Sequence, residues 1–175
     1  MCATPSQMAA FYNVSMLKIR PATEADVELV LQFIRDLAEY EREPQSAIAT
    51  PEDIIRDGFR GTPKFRVLIA EWSGVPAGFA FYFFNYSTWL GKPGLFLEDL
   101  FVKPELRGKG IGKALLAELA KVALAENCYG MKWEVLDWNT PAIDFYEALG
   151  STLRKEWITV KLTGKDLQGL AESRS

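Results

Sequence analysis

The chain has 175 residues, 49% of them apolar and 25% charged, with 20 Lys and Arg against 23 Asp and Glu and a net charge of −3. A chain of that size and mixture folds as a soluble globular domain without needing a disulfide or a metal staple. It contains no histidine, which excludes a Ser-His-Asp triad, a Cys-His dyad and a His-ligated zinc site, and its mildly acidic balance lacks the basic footprint that nucleic acid requires. Cys2 and Cys128 form no C-x-x-C pair, so no thiolate metal cage is expected and a reduced, cytoplasmic setting fits. No apolar run approaches the roughly 20 residues of a membrane span. Met1–Ser15 has neither a positive nor an apolar segment of a signal peptide and is read as a flexible extension. The folded domain is expected over residues 16–163, with a tail over 164–175.

In chain order, Leu17–Arg20 reads as a first strand ended by Pro21. Thr23 and Asp26 form a near capping box for a helix whose apolar stripe is Val27, Val30, Leu31, Ile34, Leu37 and Ala38. Thr50-Pro51-Glu52-Asp53 opens a second helix closed by Gly58 and Gly61. Phe65–Trp72 and Val75–Tyr86 are predicted strands around the hairpin signal Ser73-Gly74. Gly94–Val102 is a third, nearly all-apolar strand, and a long helix with Ile111, Leu115, Leu119 and Val122 inside runs to about Glu126. Met131–Leu136 is another strand; Thr140 caps and Pro141 opens a short helix ending at Leu149, with Gly150 as its stop. A last strand is predicted over Glu156–Leu162, and the tail adds a turn of helix. The fold class is α/β, one mixed domain.

Arg107-Gly108-Lys109-Gly110-Ile111-Gly112 lies between a buried strand and a helix. Alternating glycines let backbone N–H groups converge at a helix N-terminus, where unpaired donors and the dipole favour phosphate oxygens. The spacing is neither a Walker A loop nor the dinucleotide G-x-G-x-x-G, and taken alone the glycines also suit a plain tight turn. In context the run resembles the coenzyme A loop of the GNAT superfamily of N-acetyltransferases. The resemblance extends to Ile19-Arg20-Pro21-Ala22-Thr23, Glu71-Trp72…Gly78-Phe79 and Asn139…Ala142…Phe145-Tyr146…Leu149-Gly150. Within it, Leu97-Glu98-Asp99, Tyr86…Trp89-Leu90-Gly91-Lys92 and Asp36-Leu37-Ala38…Tyr40-Glu41 are similar to the diamine (spermidine/spermine) and thialysine acetyltransferase branch. The implied fold is a central mixed, mostly antiparallel sheet flanked by helices, with the coenzyme A loop between a central strand and the long helix.

Glu98 and Asp99 interrupt a strand apolar enough to be central. Neighbours in a strand face opposite sides unless a bulge intervenes, and a buried carboxylate without a partner is costly. An ion pair to a loop would explain them, as would a catalytic or amine-binding cleft. Acyl transfer from a thioester requires a neutral amine, and deprotonating a lysine-like amine at pH 7 costs about 4.6 kcal/mol. A base acting through water and an acid for the leaving thiolate both help. Without histidine, Glu98 is the leading base. Tyr146 reads by itself as a core aromatic; the resemblance makes it the acid that protonates the departing sulfur.

The resemblance further implies that the backbone of Leu100, Phe101 and Val102 pairs with the pantetheine arm and that Arg107, Gly108, Lys109, Gly110, Ile111, Gly112 and Lys113 hold the pyrophosphate. Asn139, Thr140, Pro141 and Ala142 meet the same arm near the acetyl group. Tyr40, Glu41, Trp89, Glu98, Asp99, Trp133, Glu134 and Trp157 match the amine side, an inventory that suits a cation because carboxylates pair with ammonium and aromatic faces attract it. One departure bears on the substrate: Ser87-Thr88 precede Trp89 where the polyamine enzymes carry an acid and a proline, which leaves shorter amines and amino acids open. The expected activity is acetyl-CoA-dependent N-acetylation of a small cationic amine by direct transfer in a ternary complex, with no metal, no nucleic acid or membrane partner, and a homodimer implied by the resemblance. Acetylation of a protein lysine or N-terminus, or a non-catalytic coenzyme A module, are the alternatives.

Overall fold

The computed structural model describes residues 16–173; the extension read over Met1–Ser15 lies outside them. The chain divides into two units, Met1–Glu134 and Val135–Ser175. In the first, β1 (Leu17–Pro21), β2 (Arg66–Trp72), β3 (Val75–Ser87), β4 (Lys92–Val102) and β5 (Met131–Trp133) form one sheet in that order. The first four are antiparallel neighbours, and only β4 and β5 run parallel. This is the mixed, mostly antiparallel sheet expected from the sequence.

Cross-strand register sorts the side chains. Val67, Ile69, Phe79 and Phe101 share one face and pack with Val27, Val30, Leu31, Phe33 and Leu37 of α1 (Val27–Tyr40) and Ile54 of α2 (Pro51–Ile54). A π-helical turn over Ile55–Phe59 extends α2. Leu68, Ala80, Leu95 and Leu97 are buried on the opposite face, where α3 (Ile111–Ala125) packs against the sheet through Ile111, Leu115, Leu116 and Leu119. Ala123 is buried in place of the expected Val122.

Two bulges shape the sheet. Ala70 pairs with Gly78 but Glu71 with Pro76, so Ala77 is extra on β3. There β3 and β4 approach so closely that a Cβ on Gly78 would sit 2.3 Å from the Phe101 carbonyl oxygen. Farther along, Phe81 pairs with Asp99 and Tyr82 with Leu97, so Glu98 is extra on β4. Because the pleat has a period of two, one extra residue exchanges the faces: Asp99 and Phe101 fall on the α1 face, while Leu97 and Leu95 fall on the other.

The entry to α1 is pinned by charge. Arg20 on β1 makes a two-pronged ion pair with Asp26, each contact 2.8 Å, and reaches Glu71 on β2 at 2.7 Å. Asp26 also accepts from the backbone and hydroxyl of Thr23. The hydrogen bonds from Arg20 hold the Asp26 carboxyl well below the usual carboxylate range.

In the second unit, α4 (Thr140–Ala148) is followed by irregular chain and then α5 (Gly164–Glu172), longer than the single turn expected. Asn139, not Thr140, is the N-cap: its backbone carbonyl accepts from Ala142 and Ile143, and its Oδ1 from Ala142. The strand expected over Glu156–Leu162 does not form. Trp157, Ile158 and Val160 are all exposed there, and among the described residues no strand pairs with this segment. An alternating apolar pattern becomes a strand only where a partner takes up its backbone groups. No helix among the described residues is long and apolar enough to cross a membrane.

Candidate active site

The parallel ladder of β4 and β5 runs Leu95–Met131, Phe96–Lys132, Leu97–Trp133 and stops at the bulge. This explains why the strand expected to reach Leu136 ends at Trp133. Past Glu98, β4 pairs among the described residues with β3 alone, so the backbone of Leu100 and Val102 has one edge outside the sheet. The strand then turns through Pro104–Leu106 into the glycine run. Gly108 and Gly110 have φ of 75° and 81°, left-handed values that side-chain-bearing residues rarely adopt. Gly110 is the N-cap of α3, and no acid stands in the first turn of that helix. The first-turn N–H groups, which have no acceptor within the helix, are available to an anion.

The carboxylates gather on the α1 face. Ile34, Leu37, Ala38 and Glu41 recur at helical spacing and, with Ser46, Ala47 and Asp99, line a cavity of about 150 Å³. Asp99 is half-buried there, and its carboxyl is pushed up to about 7, by burial first and then by the negative charges of Glu98 and Glu41. Burial also raises Glu41. Glu98, the bulge residue, is exposed. Burial thus acts on Asp99 and Glu41, whereas the sequence put Glu98 first as a base. An ammonium ion in this cavity would offset the mutual repulsion of the carboxylates and restore Asp99 to its charged form.

Other expected site residues are distributed as follows. Tyr40 ends α1 next to Glu41, with the Arg107 guanidinium 4.5 Å from its ring centroid. Lys109 lies 5.6 Å over the ring of Trp72. Ile111 is buried at the start of α3, whereas Lys113 is exposed. Trp133 is half-buried at the end of the ladder and Glu134 is exposed. Trp89 is 91% exposed at the tip of the β3–β4 hairpin, roughly 23 Å from Asp99 at ~3.3 Å per strand residue from Lys92. It does not reach the cavity of its own chain. In the second unit, Tyr146 and Asn139 are buried, at 8% and 9% exposure, Tyr146 against Phe145, whereas Trp157 is 69% exposed. Thr140 and Pro141 are exposed at the start of α4, with Ala142 half-buried. Sequence reasoning put Glu41 and Asp99 on the amine side but missed that Ile34, Leu37 and Ala38 complete the wall, although their helical spacing ahead of Glu41 carried the signal: an apolar helix face that ends in a carboxylate. Among the described residues, no three His, Cys, Asp or Glu side chains gather as a metal site.

A sheet whose parallel edge is broken by a bulge, followed by a glycine turn into a long helix, defines an acyltransferase of the GNAT type. The chain belongs to the Acetyltransferase (GNAT) family, whose profile matches residues 30–150, and is an N-acetyltransferase. Among its relatives is the thialysine N-epsilon-acetyltransferase of Bos taurus, 38% identical over 169 residues that span 90% of this chain and 99% of that one. An integron cassette protein from the mobile metagenome of V. cholerae has a similar structure, with a TM-score of 0.76 at 25% identity over 90% of this chain and 99% of that one. The aminoglycoside N-acetyltransferase AAC(6')-Iy, solved in complex with CoA, shares the fold with a TM-score of 0.65 at 23% identity, covering 83% of this chain and 94% of that one.

Proposed function

We propose that this enzyme transfers the acetyl group of acetyl-CoA to the primary amine of a small cationic molecule, directly, in a ternary complex. The observation that carries the reading is the cavity in which Asp99 and Glu41 meet beside the β4 bulge, next to a strand edge and a glycine turn suited to the donor. The pantetheine arm pairs with the open edge at Leu100 and Val102, and the pyrophosphate sits on the N–H groups at Gly108–Lys113. The amine enters as an ammonium ion held by Asp99 and Glu41. Its proton leaves through water to Glu98, which solvent reaches, or to Asp99, which holds a proton near neutrality. The nitrogen attacks the thioester carbonyl, the C–S bond breaks, Tyr146 donates its phenolic proton to the sulfur, and the second proton shed by the nitrogen restores the phenol through water.

The thialysine relative favours an amino-acid amine, as does Ser87-Thr88 ahead of Trp89. A homodimer belongs to the same reading. Tyr86, Trp89 and Leu90 expose apolar surface on the β3–β4 hairpin, and Trp89 can serve an amine site only in a second copy. Cys128 is a free thiol, in keeping with a reduced cytoplasmic setting. Thiol release from acetyl-CoA, measured across thialysine, lysine, ornithine, putrescine, spermidine and a histone-tail peptide, tests the proposal. Release is expected with the small amines, thialysine or a close analogue foremost. Release with the peptide alone would overturn the substrate class, and no release with any amine would overturn the activity. The Tyr146→Phe variant is expected to lower turnover by about 10²- to 10⁴-fold with an unchanged melting temperature; full turnover would remove Tyr146 from the mechanism.

A further inference from the structure

Arg107 opens the glycine run, yet its side chain turns away from that run. Backbone groups along a strand point alternately to its two sides. The N–H of Lys103 donates to the carbonyl of Ala77 on β3 at 2.9 Å, and the Phe101 carbonyl lies against Gly78 of the same strand. Val102 and Leu100 therefore face the open edge. Arg107 Nε donates to the Val102 carbonyl, the last acceptor on that edge, at 3.0 Å. The same guanidinium lies 4.5 Å from the Tyr40 ring centroid and 5.9 Å from that of Phe101. One side chain thus joins the turn that leads into α3, the open edge of β4 and the last residue of α1. The residue after Tyr40 is Glu41, which lines the Asp99 cavity.

We propose that Arg107 is a positioning residue for the amine: by bridging Val102 and Tyr40 it couples the donor-binding turn to the carboxylate cavity, so that each substrate's affinity depends on the other. This rests on the reading that acetyl-CoA takes the glycine turn and the ammonium group takes the cavity. A guanidinium suits the role because it donates in its plane through Nε while its face lies on an aromatic ring; an ammonium group cannot do both. Lys109, on the same turn, packs on Trp72 of β2 instead and has no such route to α1.

The test compares Arg107→Ala, Arg107→Lys, Tyr40→Leu, the Arg107→Ala/Tyr40→Leu double variant and Lys109→Ala, with acetyl-CoA and thialysine varied together. Arg107→Ala is expected to raise the KM for acetyl-CoA and also that for the amine, by about three- to tenfold, and to weaken the dependence of one on the other. Tyr40→Leu should raise the amine KM similarly, and the double variant should be no worse on the amine side than either single change. Arg107→Lys should rescue only part of the effect, and Lys109→Ala should act on acetyl-CoA alone. An Arg107→Ala variant that alters only the acetyl-CoA KM, or amine effects that multiply in the double variant, would overturn the proposal. Amide hydrogen exchange of the ligand-free proteins separates this failure from that of the functional reading. If the bridge holds, the turn over residues 37–43 exchanges faster in Arg107→Ala but not in Lys109→Ala, whatever the substrate. Equal exchange in the two would contradict it.

Discussion

The two halves of β4 differ in their pairing and in what they bury. Leu95 and Leu97 are paired on both sides, to β3 and to β5, and both are fully buried. Among the described residues Asp99 and Val102 are paired with β3 alone, and there stand a carboxyl titrating near neutrality and a carbonyl that accepts from the Arg107 side chain instead of from a strand. A single extra residue, Glu98, separates them. It ends the parallel ladder and exchanges the faces, and in doing so brings an acid to α1 without displacing either Leu97 or Phe101 from the interior. A closed sheet and one wall of a cavity are thus made from one strand, and the difference lies in register, not in composition.

Removing Glu98 is the harshest way to break that contrast. With Glu98 deleted, Leu97 stays opposite Tyr82 and Asp99 opposite Phe81, each on its present face, but the pleat becomes regular and the ladder can run on past Leu97. Denaturant melts should stay within about 1 kcal/mol of the parent while activity is lost; full activity without the bulge would mean that it does not shape the site. Asp99→Asn tests the open half. Asp99 keeps its proton to about 7 in the folded chain against the ordinary 3.8. The folded state then binds more protons between those values, and stability falls as pH rises through that window, by up to about 4 kcal/mol in all. The Asn variant should match the parent near pH 4 and exceed its stability by a few kcal/mol near pH 8, as urea melts at the two pH values would show. A constant difference would contradict the buried-carboxyl account. Gly78→Ala places a methyl group 2.3 Å from the Phe101 carbonyl, where β3 and β4 close on each other. It should cost about 1–3 kcal/mol, and a neutral result would show that the open end of β4 yields more easily than its closed end.

Much of this was legible in the residues. The apolar stripe Val27, Val30, Leu31, Leu37 located α1, the Ser73-Gly74 turn located the β2–β3 hairpin, and the alternating glycines marked the entry to α3. These are local signals, written within a few residues of where they act. What was not legible depends on pairing. Glu98 and Asp99 stood out as adjacent acids in an apolar strand, but only the register with Phe81 and Tyr82 shows which one is the bulge and which meets Glu41. The early end of β5 follows from the same bulge. Glu156–Leu162 has the apolar alternation of a strand, but among the described residues no strand of the sheet pairs with it. Asn139 and Thr140 are both good caps, and the choice between them lies in which carbonyl closes the first turn.

The role proposed for the open half of β4 is to receive the ammonium group of the substrate through Asp99. The most direct measurement is the amine KM of the parent and of Asp99→Asn, with acetyl-CoA saturating and thialysine varied at pH 8. A rise of about 10- to 100-fold, the loss of one charged hydrogen-bond partner, with the acetyl-CoA KM unchanged, is the expected result. An amine KM equal to that of the parent would contradict it.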